Sequence, residues 1–144
     1  MAYRILVTDD DREIRELLQN LLEMQGYEVL TAADGMAAIT SVTKYKPDLM
    51  VLDVSMPRMS GFQTCQTIRR MKGYNEIPVI FLTAKKSEQD KQFGARIGAD
   101  VYLTKPYNQN ELLHVIAKLL RERGQQHIER EDVNKIRDDT SFVD

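Results

Sequence analysis

Five short apolar runs alternate with five segments of helical spacing along this chain, and that alternation leaves few folds open. The runs are YRILVT (3–8), YEVLTA (27–32), DLMVLD (48–53), IPVIFLT (77–83) and DVYLT (100–104). Each is too short for a helix and rich in strand formers. The segment 11–26, DREIRELLQNLLEMQG, places Ile14, Leu17, Leu18, Leu21 and Leu22 at helical spacing, with Asp11 as N-cap and Gly26 as stop. Helices are also predicted over 34–45, 60–73, 87–98 and 108–124, the last capped by Asn108 and ended by Gly124. Parallel strands need a crossover, and a helix supplies it. Five βα units therefore predict an α/β domain, a parallel sheet with helices on both faces. Right-handed crossovers limit the strand orders to a handful.

In such sheets the functional site lies outside the carboxyl ends of the strands. The residues at those ends are therefore the ones to read. Asp9 and Asp10 follow the first strand, and the third ends at Asp53. Thr83 ends the fourth, and Lys105 follows the fifth. The second, ending Thr31-Ala32-Ala33, offers nothing comparable. Asp9, Asp10 and Asp53 in one place would repel, so a cation or a shifted pKa must relieve them. An all-oxygen site of this kind suits Mg²⁺, which takes one or two carboxylates and keeps several waters. Lys105 is a point charge fit for a phosphoryl group, and Thr83 can donate a hydrogen bond to it. An aspartate can also act as a nucleophile and become an aspartyl phosphate. Phosphoryl transfer onto Asp53 is the reaction these residues assemble. Each residue alone has an ordinary reading, as a helix-capping acid, a turn residue or a surface side chain. Their order along four strand ends makes the functional reading the stronger one.

The motifs ILVTDDD, LMVLDVSMPRMSG, VIFLTAK and VYLTKPY carry a resemblance to the receiver domain of two-component response regulators. It covers about residues 3–121 and is similar to the single-domain chemotaxis type. The resemblance implies a flavodoxin-like sheet in the order 2-1-3-4-5. It implies that Asp53 accepts a phosphoryl group from a histidine kinase or phosphotransfer protein. Asp10, Asp53 and the Ser55 carbonyl would then bind Mg²⁺ directly, and Asp9 mainly through water. Lys105 would contact the phosphoryl group, Thr83 would move toward it, and Tyr102 would be the aromatic switch. Such a protein is no enzyme toward an outside substrate, although it catalyses its own phosphorylation and dephosphorylation. Its signal would pass through the face made by the fourth helix, fifth strand and fifth helix to a protein target. Ser55 and Lys85 occupy positions that tune loss of the phosphoryl group in that family. Lys105-Pro106 is an X-Pro bond at a tight rim, where a cis peptide fits.

Composition closes off other classes. A chain of 144 residues suits one domain, here 1–124, followed by a polar tail, 125–144, that is expected to be flexible or marginally helical. A net charge of -2 argues against direct DNA binding or an anionic membrane surface. No apolar run approaches the ~20 residues that span a bilayer. The start, MAYRILVTDDD, has no signal-peptide pattern, and a cytoplasmic setting is expected. Cys65 is the one cysteine and reads as a small apolar filler. His114 and His127 have no metal-ligand constellation around them. An aspartate-nucleophile phosphatase would want a second Asp where Ser55 stands. A nucleotide-binding protein would want a Gly-rich first turn where TDDD stands. A receiver belonging to a longer regulator is the remaining alternative. A monomer or a phosphorylation-dependent dimer is expected.

Overall fold

The structure, a computed structural model, describes residues 2–139, with side chains described as far as Gly124. The elements run β1 (Arg4–Thr8), α1 (Arg12–Met24), β2 (Glu28–Ala32), α2 (Gly35–Tyr45), β3 (Leu49–Leu52), α3 (Gly61–Arg70), β4 (Val79–Thr83), α4 (Glu88–Arg96), β5 (Val101–Thr104) and α5 (Gln109–Asp139). The strands form one parallel sheet in the order β2-β1-β3-β4-β5, as expected. α5 continues over residues 125–139 of the expected tail, while the His127 side chain and residues 140–144 lie outside what the structure describes.

Strand alternation sends side chains to two cores. Ile5, Val7, Leu49, Val51, Ile80 and Leu82 bury against Leu18 and Leu22 of α1 and Leu112, Ile116 and Leu120 of α5. Leu6, Met50, Leu52, Val79 and Phe81 bury against Ala38 and Val42 of α2 and Cys65 and Ile68 of α3. With both faces covered, β3 and β4 are apolar at nearly every position, which explains why they read as continuous runs. Cys65 is the buried filler expected, and burial pushes its thiol pKa up.

The helix starts follow their caps. Asp11 accepts from the amides of Glu13 and Ile14, and Asp34 accepts from Ala37. Ser60 forms a reciprocal capping box with Gln63, Ser87 accepts from Asp90, and Asn108 accepts from Glu111. Two helix ends differ from the sequence reading. α3 stops at Arg70, because Met71 is already extended. α5 runs through Gly124. Gly26 and Gly98 adopt the positive φ that ends a helix, Gly73 adopts it in the turn after α3, and Gly124 does not.

Gly61 matters for space rather than for φ. A Cβ placed there would lie 2.0 Å from the Asp53 carbonyl oxygen. Only a glycine lets α3 begin so close to the end of β3, and the Gly61 amide donates to the Val54 carbonyl at 2.8 Å.

Candidate functional site

The carboxyl edge of the sheet gathers four of the residues read from the sequence. Asp9 and Asp53 follow adjacent strands and are 3% and 7% exposed, while Asp10 is open to solvent. One carboxylate oxygen from each of Asp9, Asp10 and Asp53 lies within 4.8 Å of the others. The Asp53 amide donates to the Thr8 carbonyl at 3.0 Å, so pairing of β3 with β1 fixes this spacing.

Lys105 reaches into the cluster from beyond β5. Its ammonium lies 2.8 Å from Asp9 Oδ2 and 3.4 Å from Asp53 Oδ2. The other oxygens are held by backbone: Asp11 N–H donates to Asp9 Oδ1 at 2.9 Å, and Ser55 N–H donates to Asp53 Oδ1 at 3.2 Å. The Lys105-Pro106 peptide is cis, and the Lys105 amide donates to the Thr83 carbonyl at 2.8 Å.

Fully ionised, three carboxylates and one ammonium leave two negative charges in excess. The pKa shifts reflect this. Burial pushes Asp9 up, and the Asp53 charge adds to that; hydrogen bonds from Lys105 and Asp11 only partly offset it. Burial pulls Lys105 down, but its hydrogen bond to Asp9 and the charges of Asp53 and Asp9 outweigh burial and leave it raised. Both shifts favour added positive charge. The donors are all oxygens and the excess charge is two, which fits a hard divalent cation.

Thr83 and Tyr102 lie beside this cluster and are not hydrogen-bonded to it. The Thr83 side chain is fully buried, and its Oγ1 accepts from the Lys85 amide at 3.2 Å. The Tyr102 hydroxyl donates to the Lys85 carbonyl. Its ring lies 6.0 Å from that of Phe81 and fills space that Gly94 leaves on α4, where a Cβ would stand 3.0 Å from Cδ2. Burial, then the charges of Asp90 and Asp53, pushes the Tyr102 phenol up to about 12. Ser55 is attached to Asp53 through its amide, and its side chain is exposed. His114 is exposed on α5 and away from the cluster.

The sequence reading missed two contacts. The Lys85 peptide joins Thr83 to Tyr102. The Arg15 guanidinium donates to the Asp9 backbone carbonyl at 2.7 Å. Both are bonds to main chain, which residue type and spacing do not announce.

Comparison with known proteins agrees with this fold. The family described as response regulator receiver domain matches residues 5–117. The chain is 48% identical over 122 residues to an uncharacterized transcriptional regulatory protein, YrkP, of Bacillus subtilis; the match covers 84% of this chain and 51% of that one. It is 43% identical to the alkaline phosphatase synthesis transcriptional regulatory protein PhoP of the same organism, covering 84% and 50%. The chain thus spans about half the length of these relatives. Among solved structures, chemotaxis protein CheY4 of Vibrio cholerae superposes with a TM-score of 0.79 at 35% identity, covering 83% of this chain and 99% of that one. A CheY-like receiver domain protein of Methanospirillum hungatei gives 0.82 at 28% identity, covering 88% and 99%.

Proposed function

This chain belongs to the response regulator receiver domain family, and on that premise we propose that Asp53 is its phosphoacceptor. Receivers of this family are signalling switches of two-component systems rather than enzymes in the usual sense. The observation that carries the assignment is the Lys105 ammonium shared between Asp9 and Asp53, with Asp10 beside them.

A phosphohistidine of a histidine kinase or phosphotransfer protein is the natural donor. An Asp53 carboxylate oxygen forms the bond to phosphorus while the bond to the donor's imidazole nitrogen breaks. Lys105 holds the negative oxygens of the transferring group, and the buried Thr83 hydroxyl offers a further hydrogen bond. Asp9, Asp10, Asp53 and the Ser55 carbonyl are the groups that would hold Mg²⁺. Bound there, Mg²⁺ offsets the charge that gathers on the phosphoryl oxygens. The same groups allow the chain to promote its own phosphorylation from a small donor and its own dephosphorylation by water.

An apolar strip beside the pocket suits the donor protein. Leu17 of α1 is 66% exposed, and with Ile14, Pro106 and Tyr107 it lines a hollow of about 250 Å³ at the base of Lys105. Output runs the other way, through Lys85 and Tyr102 to the face of α4, β5 and α5. A protein partner, or another domain where the receiver is part of a longer regulator, would read that face. No helix among the described residues is long and apolar enough to cross a membrane, in keeping with a cytoplasmic setting.

Incubation with acetyl phosphate and Mg²⁺ tests the assignment by intact mass. The wild-type chain should gain one phosphoryl group, and EDTA should prevent it. Asp53→Asn should gain none. Labelling that persists in Asp53→Asn would place the acceptor elsewhere.

A further inference from the structure

Arg15 sits in the first turns of α1 and folds its side chain backwards. Its amide donates to the Asp11 carbonyl at 3.0 Å, an ordinary helical bond. Its guanidinium donates to the Asp9 carbonyl at 2.7 Å, six residues back and outside the helix. Acidic neighbours are plentiful, yet among the described residues Arg15 forms no ion pair within 4 Å. It spends its donor on a main-chain oxygen.

That oxygen belongs to the turn between β1 and α1, which carries Asp9 and Asp10. One end of the turn is fixed by the sheet, where the Asp9 amide donates to the Ala32 carbonyl at 3.3 Å. The other end is fixed by Asp11, the N-cap of α1. Between them the Asp11 amide donates to Asp9 Oδ1 at 2.9 Å, and, among the described residues, the Arg15 guanidinium is the hydrogen-bond partner of the Asp9 carbonyl, so the two bonds together hold the main chain that leads into Asp10. Groups that orient metal-binding side chains through hydrogen bonds weaken metal binding when removed, by roughly 10-fold or more.

We propose that Arg15 is a positioning residue: its bond to the Asp9 carbonyl holds the Asp9–Asp10 turn in the arrangement that receives a divalent cation. The inference rests on the phosphoacceptor reading above. It carries a sign that separates it from simple electrostatics. Removing a positive charge beside an acidic pocket should, on charge alone, tighten cation binding. Loosening the turn should weaken it.

The test is calorimetric titration of Mg²⁺ into the full chain, for wild type, Arg15→Met and Arg15→Lys. Phosphorylation rates from acetyl phosphate are measured alongside, as a function of Mg²⁺. Arg15→Met should bind Mg²⁺ about 10-fold more weakly. Its phosphorylation rate at saturating Mg²⁺ should stay near wild type, so the loss falls in the apparent Mg²⁺ constant and not in the limiting rate. Arg15→Lys keeps the charge on a shorter side chain that lacks the guanidinium nitrogen bonded to the Asp9 carbonyl, and it should also bind more weakly than wild type. Should Arg15→Met fail to fold, Arg15→Lys decides alone. Wild-type or tighter Mg²⁺ affinity in the folded variants would overturn the proposal. A wild-type chain that neither binds Mg²⁺ nor becomes labelled would instead overturn the phosphoacceptor reading.

Discussion

Thr83 and Tyr102 share one partner, Lys85: the Lys85 amide donates to Thr83 Oγ1 and the Lys85 carbonyl accepts from the Tyr102 hydroxyl. One residue thus connects a buried hydroxyl beside the Asp9–Asp53–Lys105 cluster to an aromatic ring packed on α4. If Thr83 turns toward a phosphoryl group on Asp53, Lys85 loses its hold on that side, and Tyr102 and α4 must readjust. A swing from 1:99 to 99:1 between two arrangements needs about 5.5 kcal/mol of differential stabilisation. New charge-assisted bonds from Thr83 and Lys105 can supply a large share of it.

Thr83→Ala should therefore uncouple the two ends. Amide spectra of the phosphorylated or phosphoryl-mimic form should show changes at Asp53 and Lys105 in both proteins. Changes at Lys85, Tyr102 and α4 should be much reduced in the variant. Equal responses on the distal face would rule out this route.

Repulsion within the pocket should be visible as stability. Asp10→Asn removes one of three carboxylates whose oxygens lie within 4.8 Å of one another. Urea unfolding in EDTA should show a gain of about 1 kcal/mol, the scale of one such repulsion screened by water, to which Asp10 is open. Added Mg²⁺ should stabilise the wild type and do much less for the variant. A destabilised variant in EDTA would mean that Asp10 makes a favourable interaction in the apo fold.

Thr8 presents a separate test. Its hydroxyl is buried at the end of β1 and, among the described residues, is the one buried side-chain polar atom without a hydrogen-bond partner. A buried unpaired hydroxyl costs on the order of 1–3 kcal/mol. Thr8→Val keeps the branched shape and should raise the unfolding free energy by about 1 kcal/mol. A loss of stability would reveal a partner for that hydroxyl.

The legible parts of this protein are those where residue type contrasts with its surroundings. Asp53 stands out because four fully buried apolar residues precede it, and Asp9 and Asp10 stand out for the same reason after β1. Helix starts were legible because Asp11, Asp34, Ser60, Ser87 and Asn108 each cap through their own side chain. Gly124 looked like a stop because glycine often is one, but a stop needs a positive φ, which composition does not reveal. The Arg15 and Lys85 links escaped notice since each uses a main-chain partner. Any residue has that main chain, so no spacing rule points to it.

Tyr102 should titrate late. Its raised pKa, about 12, means the fold favours the neutral phenol. The favourable contribution is complete below the ordinary value of 10.0 and is lost as pH rises through about 12. The phenolate absorbance of wild type minus that of Tyr102→Phe isolates this group. The difference should rise with a midpoint near 12. A midpoint near 10.0, the ordinary value, would show the phenol exposed to solvent and away from the Asp90 and Asp53 charges.

The most direct test is chemical mapping of the phosphoryl site. An acyl phosphate is reduced by borohydride to an alcohol, so a phosphorylated aspartate becomes homoserine, whereas phosphoserine and phosphohistidine do not. Wild-type chain treated with acetyl phosphate and Mg²⁺, reduced and digested, should yield homoserine at position 53 alone, with Asp9 and Asp10 unchanged. Homoserine at either of those residues, or label with no homoserine at all, would contradict Asp53 as the phosphoacceptor.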